Sequence, residues 1–285
     1  MTTLTFLPSS AAGKRTALIS QNVRQYLPHT REASPYSSYK VEAHSGPGLS
    51  PGFGAVYVAP EPMPENAKVW FFTRLGGVSR PPYDSLNVST KVGDSEEAVT
   101  ENLSLIREAM GGSPSGWVRQ VAGDGVTRVS EAGLAGEADA LVTRSEELPL
   151  VVAVADCVPV VLVGEAEVGM VHSGWRGTLA GISGKAAREM DGDVRAYIGP
   201  CIRRCCYEVS WELAGSFVKK FGAVVTTGRN LSLPAAIRHD LDEAGVSEVH
   251  DLGLCTGCRS DLFYSHRKQG LKTGRNLAAV ARNVS

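Results

Sequence analysis

The chain has 285 residues, 43% of them hydrophobic, and 29 Lys and Arg against 30 Asp and Glu for a formal net charge of −1. That length and apolar content can bury one large core or two small ones. The balanced charge, with no Lys/Arg run longer than a pair, argues against a nucleic-acid partner, and the longest apolar stretch, Leu148 to Val163, is broken by Asp156 and Pro159 and is too short to cross a bilayer.

Residues 1 to 54 are rich in Ser, Pro, Gly and Thr and lack hydrophobic periodicity, so they read as a disordered or targeting extension ahead of a folded domain over 55–285. The first 31 carry Lys14, Arg15, Arg24 and Arg31 but no acidic residue, the composition of a transit peptide or simply of an unstructured terminus. Val69 to Thr73 then predicts a strand, and Arg74-Leu75-Gly76-Gly77 after it a loop in which backbone and an arginine approach something closely. Ser95 followed by acidic residues caps a helix running to Met110, whose Val99, Leu103, Ile106 and Met110 recur at helical spacing before Gly111-Gly112 stops it.

Short strands follow at 140–143, 150–154, 158–163 and 168–172, apolar enough to be covered on both faces. A helix is expected from Gly177 to Met190, a strand over 195–198, helices over 210–221 and 233–244, and a strand leading into Cys255. Without a fixed-period repeat, one mixed α+β domain is the economical arrangement.

The chemistry sits at strand ends. Cys157 and His172 flank a predicted hairpin, which would deliver a thiol and an imidazole to one rim. Such a pair suits either zinc, given a third ligand and an open position, or a Cys–His nucleophile, and Asp156 would orient either or merely cap a turn. Gly174 to Gly177, opening a helix, offers amides to an anion, with Arg176 and Arg74 as charged donors. Cys255-Thr256-Gly257-Cys258 is half a zinc site, a redox pair or a pair of structural thiols; Cys201, Cys205 and Cys206 do not form a second CxxC, which favours structural thiols. Six cysteines without a secretory signal point to reduced thiols and a cytoplasmic protein. Arg267 and Arg275 add cations that would serve a phosphate or solvate a surface.

RLGGVS at 74–79, YDSLN at 83–87, QVAG at 120–123, DALVT at 139–143, ADC at 155–157, HSGWRG at 172–177, IGPCI at 198–202, CYEV at 206–209 and the SHR and TGR of the C-terminal tail occur in the order found in one family. The chain resembles the YfiH-like proteins, also catalogued as multicopper polyphenol oxidoreductase or laccase-domain proteins, across roughly residues 65 to 280. The resemblance implies a single-domain α+β fold, a layered α/β/β/α sandwich with mixed sheets. It implies zinc-dependent phosphorolysis of adenosine, inosine and methylthioadenosine, with purine nucleoside and phosphate as partners and adenosine deamination alongside. Copper fits less well, because one Cys/His site is not a multicopper cluster and His-x-His pairs are missing.

By the same resemblance, Cys157 and His172 are catalytic and metal-binding, while Arg74, Asn87 and Arg176 bind substrate. The family's zinc triad is His-Cys-His, its first histidine in Gln-Val-His-Gly; Ala122 stands at that position here. A methyl group donates nothing to a metal, so zinc is weakened unless Asp124, His266 or another group moves in. Some bacterial members are described as peptidoglycan editing factors, which would suit a metal-free Cys157–His172 hydrolase. A non-catalytic nucleoside-binding protein is the third reading.

Overall fold

The computed structural model describes residues 38–44 and 54–283. Its strands are β1 (Ser38–Ala43), β2 (Val56–Glu61), β3 (Ala67–Phe72), β4 (Gly116–Arg119), β5 (Val126–Arg128), β6 (Gly133–Glu137), β7 (Ala140–Thr143), β8 (Leu150–Val154), β9 (Val158–Val163), β10 (Val168–Ser173), β11 (Arg195–Ile198), β12 (Thr226–Thr227), β13 (Asn230–Leu231), β14 (Glu248–Asp251) and β15 (Asn276–Arg282). The helices are α1 (Glu96–Ala109), α2 (Trp175–Ala180), α3 (Ile182–Arg188), α4 (Trp211–Phe221), α5 (Leu233–Glu243) and α6 (His266–Gln269).

Two mixed sheets stack face to face. One has seven strands in the order β1-β2-β3-β15-β8-β4-β6, the other six in the order β14-β11-β9-β10-β7-β5. All six positions of β9 and of β10 are buried, as their unbroken apolar runs require. The pleat divides them: Val161, Val163 and Met170 enter the core between the sheets with Phe71, Val152 and Val280, whereas Val160, Leu162 and Val171 face α3, α4 and α5 through Ile182, Phe217 and Ile237. On the far side of the seven-stranded sheet, Trp70, Phe72, Leu277 and Ala279 meet Leu105 and Ile106 of α1. The order helix, sheet, sheet, helix is the expected α/β/β/α sandwich.

The expected strands over 69–73, 140–143, 150–154, 158–163, 168–172 and 195–198 are present, and Ser95 caps α1 by accepting the N–H of Ala98 at 3.1 Å. Three readings need correction. Ser38–Ala43 is not part of an extension: it pairs antiparallel with β2 along its whole length, so the folded unit reaches back to residue 38. The transit-like residues 1–31 lie outside the described residues. The single helix expected over 177–190 is two, broken at Gly181 (φ 84°) where the chain packs against α5; the Gly184 N–H donates to Asp240 at 2.7 Å and a Cβ there would meet the Asp240 carbonyl at 2.6 Å. Finally, β15 has no counterpart among the expected strands, although it is central, pairing with β3 and β8. Its sequence NLAAVAR is alanine-rich and carries little β propensity of its own. No helix among the described residues is long and apolar enough to cross a membrane.

Candidate active site

The β9–β10 hairpin pairs His172 with Pro159 and Ser173 with Val158, so Cys157, one residue before β9, lies beside the end of β10. The preceding Asp156 adopts a left-handed backbone (φ 87°), uncommon for a residue with a Cβ and held here by two side-chain bonds. Its Oδ1 accepts the Thr256 hydroxyl at 2.6 Å and its Oδ2 the Arg267 N–H at 2.7 Å. Asp156 therefore orients the turn that presents Cys157, and ties it to residues a hundred positions downstream. Gly174 closes the other side: a Cβ there would stand 3.2 Å from Cys157 Sγ and 3.9 Å from His172 Cε1.

Asp139, fully buried at the start of β7, is the organiser that the motif reading did not assign. Its Oδ1 lies 2.7 Å from His172 Nδ1, and its two oxygens accept the backbone N–H groups of Val121, Ala122 and Gly123 at 3.2, 3.1 and 2.7 Å. A buried carboxylate must be paired, and an Asp inside the apolar run Ala138 to Val142 was the available signal. Burial alone would lower the basicity of His172, but the Cys157 sulfur and the Asp139 carboxylate, both hydrogen-bonded to it, outweigh that and push its pKa up to about 9. Burial likewise would raise Asp139, yet its imidazole and backbone donors hold it below the usual carboxylate range. The result is a continuous Cys157–His172–Asp139 chain with an imidazole of raised basicity at its centre.

The three expected substrate residues separate. Arg176, exposed, lies over the Trp175 ring at 4.2 Å, at the start of α2. Arg74 is 8% exposed and engaged within the fold: its Nε donates to the Asp84 carbonyl at 2.7 Å, Nη1 to the Ser260 carbonyl at 3.0 Å, Nη2 pairs with the Asp84 carboxylate at 3.1 Å, and the guanidinium covers Tyr264. Asn87 is fully buried, donating to Ser89 and Asp94 and accepting from the backbone of Ser89 and Arg275. These two residues position loops. What the Gly76-Gly77 loop approaches closely is the chain itself, at Gly54 and Ser85.

An open cavity of about 490 Å³ is lined by Trp175, Tyr207, Glu208, Leu213, Arg229 and Arg267, among others; Cys157 and His172 do not line it, but Trp175 lies three positions after His172 and the Arg267 N–H bonds Asp156, next to Cys157. Burial pushes the Tyr207 phenol up to about 12, with the Cys157 charge adding to the effect, which places this ring near the thiol. Arg275 is also a neighbour: burial lowers its pKa against the opposing pull of Cys157 and Asp156. Aromatic faces with arginines alongside suit a flat, polar ring bearing an anionic co-substrate.

A catalytic zinc needs three protein ligands and an open position. His172 Nδ1 is committed to Asp139, leaving Nε2; Cys157 offers Sγ; Ala122 offers nothing. Asp124 is paired with Lys185, and among the described residues no third His, Cys, Asp or Glu converges with Cys157 and His172. Neither Asp124 nor His266 replaces the missing ligand. Two donors do not make a catalytic zinc site, and no chemical step is assigned to the metal.

Residues 68–283 match the family model described as multi-copper polyphenol oxidoreductase laccase. The Escherichia coli K12 protein named purine nucleoside phosphorylase YfiH is 32% identical over 233 residues, covering 77% of this chain and 95% of the relative. The protein named purine nucleoside phosphorylase YlmD of Geobacillus stearothermophilus is 31% identical over 241 residues, covering 74% of this chain and 88% of the relative. The crystal structure of that YlmD superposes with a TM-score of 0.74 at 31% identity over 80% of this chain and 96% of its own. A Neisseria meningitidis protein gives 0.73 at 29% identity over 81% and 100%.

Proposed function

The chain belongs to the multi-copper polyphenol oxidoreductase laccase family, and from that premise we propose that it is a purine nucleoside phosphorylase acting on adenosine, inosine or methylthioadenosine with phosphate. The observation that carries the reading is the Cys157–His172–Asp139 chain beside an aromatic, arginine-edged cavity. Trp175 and Tyr207 stack on the purine and hold it; Arg176 and Arg267 attract phosphate. Attack of a phosphate oxygen on the ribose C1′ breaks the glycosidic C–N bond, and the electron pair leaves with the purine. His172, kept protonated by its neighbours, gives its Nε2 proton to the departing base, and bulk solvent restores it. Ribose 1-phosphate and free base result.

The zinc dependence and adenosine deamination implied by the motifs are impaired in this reading. Deamination needs an activated water, and with Ala122 in the ligand position the site lacks the third donor with which a metal would supply it. Multicopper oxidation has no support among the described residues, where no histidine joins a group of three metal donors. Free thiols suit a reducing compartment such as the cytoplasm.

The test is hypoxanthine release from inosine with and without phosphate, for the chain as it stands, for Ala122→His and for His172→Ala. We expect slow, phosphate-dependent release, abolished in His172→Ala; Ala122→His should bind one more zinc per chain, which would occupy the His172 Nε2, so that any gain in turnover there belongs to the metal and not to the His172 acid. Release independent of phosphate, or full activity in His172→Ala, would sink the proposal. A second reading draws on the same triad-like connectivity, which is that of a thiol nucleophile. Under it, alkylating Cys157 abolishes hydrolysis of a peptidoglycan precursor amide and phosphorolysis is absent. Nucleoside binding without either activity marks a non-catalytic binding protein.

A further inference from the structure

Four of the six cysteines meet at a second place. Cys205 and Cys206 lie in the turn after β11, Cys255 and Cys258 in the loop after β14, and their four sulfur atoms all lie within 4.8 Å of one another. Cys205 Sγ is 3.6 Å from Cys255 Sγ and 3.5 Å from Cys258 Sγ, and Cys206 Sγ is 3.5 Å from Cys258 Sγ. Four thiolates at the corners of a tetrahedron with zinc–sulfur bonds of ~2.3 Å stand ~3.8 Å apart. The four sulfurs are thus already near the spacing a tetrahedral ion imposes, and all are free. We propose that Cys205, Cys206, Cys255 and Cys258 form a structural zinc site, separate from Cys157 and His172, that clamps the turn leading into the cavity-lining Tyr207 onto the loop after β14.

The surroundings are built for it. Gly257 lies so close to Cys206 that a Cβ would stand 2.9 Å from its Cβ and 3.0 Å from its Sγ, so a glycine is what lets the CTGC loop close over the other pair. The Cys255 sulfur accepts backbone N–H bonds from Cys258 and Arg203, the kind of outer partner that offsets the charge of a metal-bound thiolate. The Arg203 guanidinium adds positive charge near Cys255 while anchored on Asp251. Cys201 is excluded: it is packed among apolar side chains of the helical layer.

The consequence reaches the active site through short paths. Tyr207, which lines the cavity, follows Cys206, and Thr256, which holds Asp156, follows Cys255. Removing the metal should loosen both, and with them the turn that presents Cys157.

The decisive protein is the full chain carrying Cys157→Ala and His172→Ala, which removes the other candidate donors, purified with reductant and passed over a chelating resin. One zinc per chain should remain, its X-ray absorption showing four sulfur neighbours; cobalt in its place should give tetrahedral, thiolate charge-transfer spectra. Adding Cys258→Ser should lower zinc at least 10-fold. If that variant does not fold, the sulfur count of the double variant still decides. A metal-free double variant, nitrogen or oxygen ligands in the absorption spectrum, iron in place of zinc, or a Cys205–Cys258 disulfide that binds no zinc after reduction overturns the proposal. None of these readings depends on nucleoside turnover, so the two proposals fail independently.

Discussion

At Ala122 the backbone is left-handed (φ 57°), a conformation that costs a Cβ-bearing residue roughly 1 kcal/mol and that alanine has no polar side chain to repay. Histidine is among the residues enriched there, and the Ala122 N–H already donates to the Asp139 oxygen that holds His172. The bend at Ala122 thus serves the Asp139 carboxylate through its backbone N–H, and a histidine side chain would be compatible with it. Asp139→Asn should retain the fold with a loss of about 1–3 kcal/mol, because an amide accepts the three backbone N–H groups of Val121, Ala122 and Gly123 less well, seen in denaturant melts, and cut phosphorolysis by about 100-fold, the scale of a general acid's contribution. His172 sets the pH dependence. Its folded pKa of about 9 lies above the ordinary value, so the pairing stabilises fully below about pH 6.5 and is lost as pH rises through 9. Thermal stability should therefore fall between about pH 6.5 and 9 and lose nothing more from this group above that, whereas phosphorolysis should decline as pH rises through 9. NMR of the ring should report the same midpoint, and a midpoint near 6.5 would contradict the assignment.

The elements around the site were legible wherever the sequence carries unbroken apolar runs. β9 and β10 stand out because both their faces are covered, and the hairpin between Cys157 and His172 follows from them. β15 was not legible: alanines give no local signal, and only its place between β3 and β8 makes it a strand. The break at Gly181 was equally hidden, since it answers to Asp240 on another helix. Packing between elements also gives a stringent test at Gly199, in the IGPCI motif just after β11. Any Cβ there would collide with the ring of Phe71 from β3, across the sheets. Gly199→Ala should destabilise by about 1–3 kcal/mol through overpacking, read as a Tm several degrees lower, and an unchanged Tm would show that the two sheets can part at that point.

At the scale of the molecule, the edge of the larger sheet takes in residues 38–43. β1 covers β2, and Tyr57 donates its hydroxyl to Glu42 at 2.6 Å, a bond that with burial raises the phenol pKa further. A chain beginning at residue 45 loses β1, exposes the β2 edge and should melt lower than one beginning at 38 and aggregate on heating, as light scattering would show. By itself the sequence determined the strand runs, the layered architecture through its ordered motifs, and the pairing of Cys157 with His172 across a hairpin. Only the tertiary structure decided that Asp139 completes their chain, that Arg74 and Asn87 are engaged in holding loops, and that four cysteines converge. Local pattern fixes which residues face a core. Which polar groups find one another depends on contacts between positions 16 to more than 180 residues apart, and these exist only once the sheets have stacked.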